Sequence, residues 1–489
     1  MGLSSNNTLI QLSIINRKSF NTLKFYNIVL LSLVFITFAN CQSREKDTFN
    51  NSSNNTSYSF IEVPANRAKP NSSKLRLAYK VLKANTKSNM PPIIFLQGGP
   101  GASSLYLENF WKSTILNKDH DIILVDQRGT GFSSSICEDA YNEILNILSA
   151  NLNAKEEEEE LLALSKFCKE DFKAKSMDFR VFNTLDNAED LELLREHLDI
   201  PKWIILAGSY GTRLGLQYLK KYQGNTHAAI LMGLYGPNVK LYNDFVDVYI
   251  DKLELIFNEC ENDPYCNRKY PDLKSQFYKN IDNLKEVPFK LSYNEIDIYI
   301  NTQNYLLYVH QLLYSKITLQ LIPKFIYSFP RYDEETIAKG IGYTLRTIKK
   351  INIAAFWSYI AYEESYLFKS NYKFLPNTNE RFDAEISLFS AEINILKEWS
   401  HDFSEPLGLD DLAIKTPLLI INGRFDPVTP LEKAKELMPY FENAFLLDFP
   451  NEGHSIFNSC SFKSIEEFIK NPKDNIESSC KYSNKVQFE

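Results

Sequence analysis

Three residues of this 489-residue chain have types and spacing suited to nucleophilic catalysis. Ser209 stands in Ala207-Gly208-Ser209-Tyr210-Gly211, where an apolar run stops and a helical pattern begins at once. A serine hydroxyl is a weak nucleophile. It needs a base for its proton, an acid to orient that base, and donors for the oxyanion that develops. Asp426 follows the apolar run Leu418 to Ile421 in "IINGRFDPVTP", with Pro427 and Pro430 stiffening the loop. His454 follows the run Phe445 to Phe449 in "FPNEGHSIF". Of the six histidines, His454 combines a loop after a strand with the last place in the chain. Each residue also has a bland reading: a Gly-Ser turn, a capping aspartate, a surface histidine. In this order, each after an apolar run, they predict a Ser209–Asp426–His454 triad. The two oxyanion donors are predicted to be the N–H of Tyr210 and that of Gly99, in "QGGPG" after the run "IIFL"; Pro100 has no N–H to offer.

The surrounding sequence supplies elements that can position such loops. "PPIIFLQ", "DIILVD", "WIILAG" and "HAAILMG" are short, nearly continuous apolar runs, as expected of parallel strands buried on both faces. Helical patterns such as "NAEDLELLREHLDI" lie between them, with Thr184 or Asp186 as a candidate cap. From about Tyr242 to Ser404 strand-like runs nearly vanish, and large apolar residues recur at helical spacing. Strand patterns then resume with "TPLLIING" and "NAFLLDFP". The prediction is an α/β sheet domain interrupted by a mostly helical cap, inserted before the strand that carries Asp426. The divisions read are 1–40 leader, 41–74 polar tether, 75–240 first part of the sheet domain, 241–408 cap and 409–489 second part.

The leader reading rests on Arg17, Lys18 and Lys24, with no acidic residue before Cys41, followed by the apolar run Tyr26 to Ala39. That run is shorter than the ~20 residues of a membrane span and suits a secretory signal. It ends in Phe38-Ala39-Asn40-Cys41, which resembles a bacterial lipoprotein processing site with Cys41 as the lipidated residue; an ordinary signal peptide or an uncleaved anchor is the alternative. Export would place the mature chain where disulfides persist. Six of the seven cysteines remain beside Cys41, and their order in the chain suggests Cys137–Cys168, Cys260–Cys266 and Cys460–Cys480. The net charge of −7, with no basic patch interleaved with aromatics, argues against nucleic acid as a partner. Glu156 to Glu160 reads as a solvated helix face. No His-Glu-x-x-His and no complete phosphate loop occurs, so neither metal nor cofactor is predicted.

Taken together, "QGGPG", "DQRGTGFS", "GSYGT", "DPVTP" and "GHS" resemble the prolyl iminopeptidase and tripeptidyl aminopeptidase-like branch of the α/β-hydrolases. The resemblance spans about residues 75–470. Gln97 replaces a histidine that often precedes the glycines, and Ala207 the first glycine of Gly-x-Ser-x-Gly. The Cys137 and Cys168 positions match a cysteine pair of exported relatives. The resemblance implies a serine peptidase that acylates at Ser209 and releases residues from the free N-terminus of a peptide. It also implies a cap acid for the substrate ammonium. "WSYIAYEESYLF" resembles the cap segment carrying one, which points to Glu364, with Glu363 in reserve; a solvated helix face is the alternative. Arg128 is expected to hold its loop.

The predicted function is therefore an exported serine exopeptidase acting on short peptides, held to a membrane through an N-terminal lipid. An esterase or another acyl hydrolase of the same fold is the alternative, because pocket chemistry decides between them. A lipoprotein that binds peptides without cleaving them is a third.

Overall fold

The computed structural model describes residues 58–69, 71–134, 136–364, 387–400, 406–472 and 486–489. Cys41, Cys480, the leader and the first part of the tether lie outside them. Eight strands form the main sheet in the order β1-β2-β4-β3-β5-β6-β9-β10. These are β1 (Ser59–Pro64), β2 (Lys74–Leu82), β3 (Ile93–Leu96), β4 (Ile122–Val125), β5 (Trp203–Gly208), β6 (Thr226–Met232), β9 (Leu418–Gly423) and β10 (Ala444–Phe449). β2 pairs antiparallel with β1 and β4; the other pairs are parallel. Every residue of β3, β4, β5 and β9 is buried. Helices cover both faces, which is why those runs are continuously apolar rather than alternating.

The strand order reverses at β3. β4 lies on one side of it and β5 on the other, so the loops leaving β3 and β5 part around a crevice at the carboxyl ends of the strands. Leu96, the last residue of β3, pairs with Ala207, so "QGGPG" and Ser209 emerge side by side. β6 and β9 are neighbours in the sheet although residues 233–417 separate them in sequence, and that long insertion holds the cap.

Three parts of the reading change. The tether does not run to residue 74: Ser59–Pro64 is an edge strand, with Ser59 opposite Tyr79 and Pro64 opposite Lys74. Ile61 and Val63 alternate inward along it, a pattern masked by the polar residues before it. The cap, read as mostly helical, also contains one hairpin that was not read: β7 (Phe289–Tyr293) and β8 (Ile296–Ile300), whose turn residues, Asn294 and Glu295, both have positive φ. A two-residue turn between alternating runs was the signal for it.

The third change concerns the wall above the crevice. After α1 (Glu108–Ser113), the chain between β4 and β5 forms a helical pair, α2 (Ala140–Ser149) and α3 (Ala154–Ala174). Cys137 and Cys168 are bonded and tie α3 to the start of α2. α3 packs on the cap helix Ser387–Glu398. The covering structure is thus built from two separate stretches of chain. The cap proper begins with α6 (Leu241–Asn262). Cys260 is bonded to Cys266, and Cys460 is also disulfide-bonded, its expected partner Cys480 being outside the described residues. α4 (Thr184–His197) is capped by Asn183, whose side chain accepts from the Asp186 N–H, not by Thr184 or Asp186.

Candidate active site

Ser209 occupies the turn between β5 and α5 (Tyr210–Tyr222), with φ 54° and ψ −125°. A side chain other than glycine rarely takes that conformation, and here it lifts the hydroxyl off the sheet. Two glycines make room for the turn. A Cβ on Gly211 would lie 2.1 Å from the Leu96 carbonyl oxygen, so only glycine lets α5 approach β3. A Cβ on Gly98 would lie 2.8 Å from the Ser209 Cβ, so the "QGGPG" backbone runs directly against the serine. Tyr210 is the first residue of α5, where an N–H has no acceptor within the helix. Gly99, with φ 115°, lies in the loop facing it, and Gly99 and Ser209 line one cavity.

Asp426 and His454 meet because their strands pair: Gly423 of β9 is opposite Phe449 of β10. His454 Nδ1 is 2.8 Å from Asp426 Oδ2. The other carboxylate oxygen accepts from the N–H groups of Val428 and Thr429, and the Thr429 hydroxyl donates to Oδ2. Burial pushes the Asp426 carboxyl up, but the His454 ring and these backbone donors outweigh it and hold it below the usual range. An ionised Asp426 only accepts, so Nδ1 carries the proton and Nε2 is left as the base. The His454 ring lies over Gly233, where a Cβ would be 3.2 Å from Cε1. Met232, just before it, accepts the Ser209 N–H at 2.8 Å. The ring and the serine thus stand at the ends of adjacent strands, facing one cavity.

Two aspects of the surroundings were not read from the sequence. The first is support. Asp126, fully buried, accepts from the Ser103 hydroxyl and the N–H groups of Ser104, Leu105 and Phe132, tying the loop after β3 to the loop after β4. Arg128, expected from the sequence to hold its loop, is also fully buried; it pairs with Asp190 at 2.7 Å and donates to the carbonyls of Ala65 and Val181, and it does not reach the cavity. The second is the cap's hold on the histidine loop. The Tyr314 ring stands edge-on to His454 at 5.2 Å, and the Tyr314 carbonyl accepts the Ser455 N–H.

Ser209 and His454 line a cavity of about 510 Å³. Its walls are largely apolar: Tyr141, Ile144, Leu148 and Leu161 from α2 and α3, Phe245 from α6, and Phe356 and Trp357 from the cap. His310 also lines it, but burial pushes its pKa down to about 3 and leaves it neutral. Glu363 and Glu364 are buried as well, yet neither lines this cavity among the described residues. Glu364 accepts from the Tyr235 hydroxyl and the Leu241 N–H, and Glu363 lies 3.4 Å from Arg213, so both tie the cap to α5 and the cap's entry segment. Among the described residues the acid on the cavity wall is instead Glu392, on the cap helix Ser387–Glu398. It is 8% exposed, accepts from the Tyr242 hydroxyl at 2.6 Å, and is pushed up to about 7 by burial. Helical spacing alone did not mark it out from other cap acids. No group of residues suited to a metal ion occurs among the described residues.

Comparison with known proteins agrees with this geometry. A family profile described as alpha/beta hydrolase fold matches residues 91–256, and one described as TAP-like protein matches residues 397–480. A proline iminopeptidase of Aspergillus aculeatus is 26% identical over 47% of this chain and 47% of its own length. A probable proline iminopeptidase of Leptolyngbya boryana is 27% identical over 30% of the chain and 32% of its own. A putative proline iminopeptidase of Mycoplasma genitalium is 21% identical over 78% of the chain and 90% of its own. The chain thus spans half or less of the first two relatives and most of the third. The order of the three residues, the loops on either side of the crevice and these matches carry one conclusion: the chain has the α/β-hydrolase fold, and within that fold its similarity is to the prolyl iminopeptidase and TAP-like proteins.

Proposed function

We propose that the protein is an exported serine aminopeptidase that releases residues from the free N-terminus of short peptides. In this reading Ser209 attacks the scissile carbonyl while His454 Nε2 takes its proton, and Asp426 orients the ring and stabilises its charged form. The N–H groups of Tyr210 and Gly99 receive the oxyanion. His454 then returns the proton to the leaving amine, and water hydrolyses the acyl-enzyme. The resemblance to proteins named proline iminopeptidases supports the aminopeptidase reading. The leader pattern ending at Cys41 supports export with membrane anchoring, and the disulfides are compatible with it.

The observation that carries the peptidase reading is Glu392. A buried carboxylate that has only the Tyr242 hydroxyl as its partner among the described residues costs free energy unless a cation joins it. A substrate ammonium is such a cation, and pairing with it would count the residues between the peptide end and Ser209. An esterase for uncharged acyl groups has no comparable use for it.

The test is a panel of free and N-acetylated aminoacyl and peptidyl amides, with an uncharged ester for comparison. Free amides are expected to be cleaved and their acetylated forms to lose about 2–5 kcal/mol in kcat/KM, the usual cost of removing one member of a desolvated charge pair. Equal cleavage of both would replace the exopeptidase with a general acyl hydrolase.

A further inference from the structure

Four of the exposed large apolar side chains in the described surface, Phe60, Tyr106, Phe110 and Phe132, belong to neighbouring elements, and Tyr58 joins them. The Tyr58 and Phe132 rings are 4.4 Å apart, and Tyr106 stands edge-on to Phe132 at 5.2 Å. Phe60 follows Tyr58 by two residues at the sheet edge, which puts both on one face of β1. Phe110 follows Tyr106 by four residues through consecutive helical turns and continues inward to Trp111 and Phe457. Single exposed aromatics are ordinary, whereas a contiguous group marks an interaction surface.

These rings are held outward. The Phe132 N–H donates to Asp126, and the Tyr106 N–H to the Ser103 hydroxyl that itself donates to Asp126. The charges around them are balanced or basic. Glu108 pairs with both Lys80 and Lys112, Glu62 pairs with Lys74, and the Arg76 guanidinium lies 4.1 Å over the Phe60 ring. Phenylalanine and tyrosine rimmed by lysine and arginine suit the boundary between lipid headgroups and acyl chains, where the ring is half apolar and half wet.

The position of the group in the chain names its occupant. Tyr58 belongs to the group, and Cys41 lies 17 residues before it. A segment of that length reaches at most about 60 Å when fully extended. A lipid on Cys41 would therefore keep a bilayer within reach and raise its effective concentration at the aromatic surface. We propose that Tyr58, Phe60, Tyr106, Phe110 and Phe132 dock on the surface of the membrane that holds the lipid anchor. The proposal rests on the anchored reading given above. It presents to the bilayer the loops after β3 and β4, which carry Gly99 and Asp126.

All four native tryptophans are buried but emit, so the signal of an introduced one is read as the difference from the unaltered chain under the same conditions. The processed full-length chain is mixed with phosphatidylethanolamine–phosphatidylglycerol vesicles brominated at shallow acyl carbons. Tyr106→Trp and Phe132→Trp are compared with Tyr332→Trp, an exposed cap position. Side chains docked about 5–10 Å into the interface would meet the bromine, so the difference emission at 106 and 132 is expected to fall about twofold, with that at 332 unchanged. Sedimentation with vesicles, measured in parallel, reports the anchor. Sedimentation without quenching at 106 and 132 overturns docking and leaves the anchor standing. Quenching at high lipid without sedimentation keeps the docking surface and removes the anchor. Neither signal removes both. Protection of position 106 that grows with protein concentration in the absence of lipid assigns the surface to a second copy and overturns the proposal.

Discussion

The two sides of the cavity are built by different rules. On the sheet side, Ser209, Asp426 and His454 each stand a few residues past the end of a strand, and neighbouring strands bring them together. On the cap side, Tyr141, Phe245, Trp357 and Glu392 come from helices far apart in sequence, and side-chain packing alone aligns them. The sheet side can therefore be altered one residue at a time with predictable loss. In the proposed function the cap side selects the substrate, through the residues that face the cavity.

Four measurements press on that contrast. The largest effect is expected from Ser209→Ala, which should cost about 10⁶ in kcat, as removal of a serine nucleophile does, with the melting temperature little changed. A folded variant within tenfold of the parent would break the sheet-side assignment. Next comes the cap. Glu392→Gln should remove about 2–5 kcal/mol from kcat/KM for free-amine substrates and leave an uncharged ester nearly untouched. Glu364→Gln should not discriminate between the two, because its carboxylate serves Tyr235 and Leu241. The reverse result would return the ammonium site to Glu364.

The third tests how closely the sheet side is packed. Gly211→Ala places a methyl group against the Leu96 carbonyl and should destabilise the fold by about 1–3 kcal/mol, read by denaturant unfolding. An unchanged midpoint would mean that α5 can withdraw from β3 freely.

The smallest effect concerns pH. Glu392 is raised to about 7, so in the empty enzyme it gains a proton as pH falls through that value and loses the charge an ammonium needs. The ratio of kcat/KM for a free amine to that for an uncharged ester cancels whatever titrates the common base. It should be highest between about pH 7 and 8, fall about tenfold per unit below as Glu392 takes up a proton, and fall again above about 8 as the substrate α-amino group loses its own. In Glu392→Gln the ratio should lose the fall on the acid side. A ratio without that fall in the parent would remove Glu392 from substrate binding.

The amino-acid sequence by itself determined the sheet and the loops that carry Ser209, Asp426 and His454. Continuous apolar runs mark buried parallel strands, and in an α/β sheet the chemistry collects at their carboxyl ends, so residues just past those runs are legible in order. The short disulfide loops were legible for a related reason, since Cys137–Cys168 and Cys260–Cys266 join neighbours in the chain. Tertiary structure alone decided the wall. A heptad-like pattern says that a helix has a buried face but not what that face meets, so Glu364 and Glu392 look alike in sequence. Only the packing of α3 and the cap helices turns Glu392 to the cavity and leaves Glu364 tying the cap to the segment where it begins. The edge strand Ser59–Pro64 became visible for the same reason: six residues with a polar lead-in form a strand only once Lys74–Leu82 is there to pair with them.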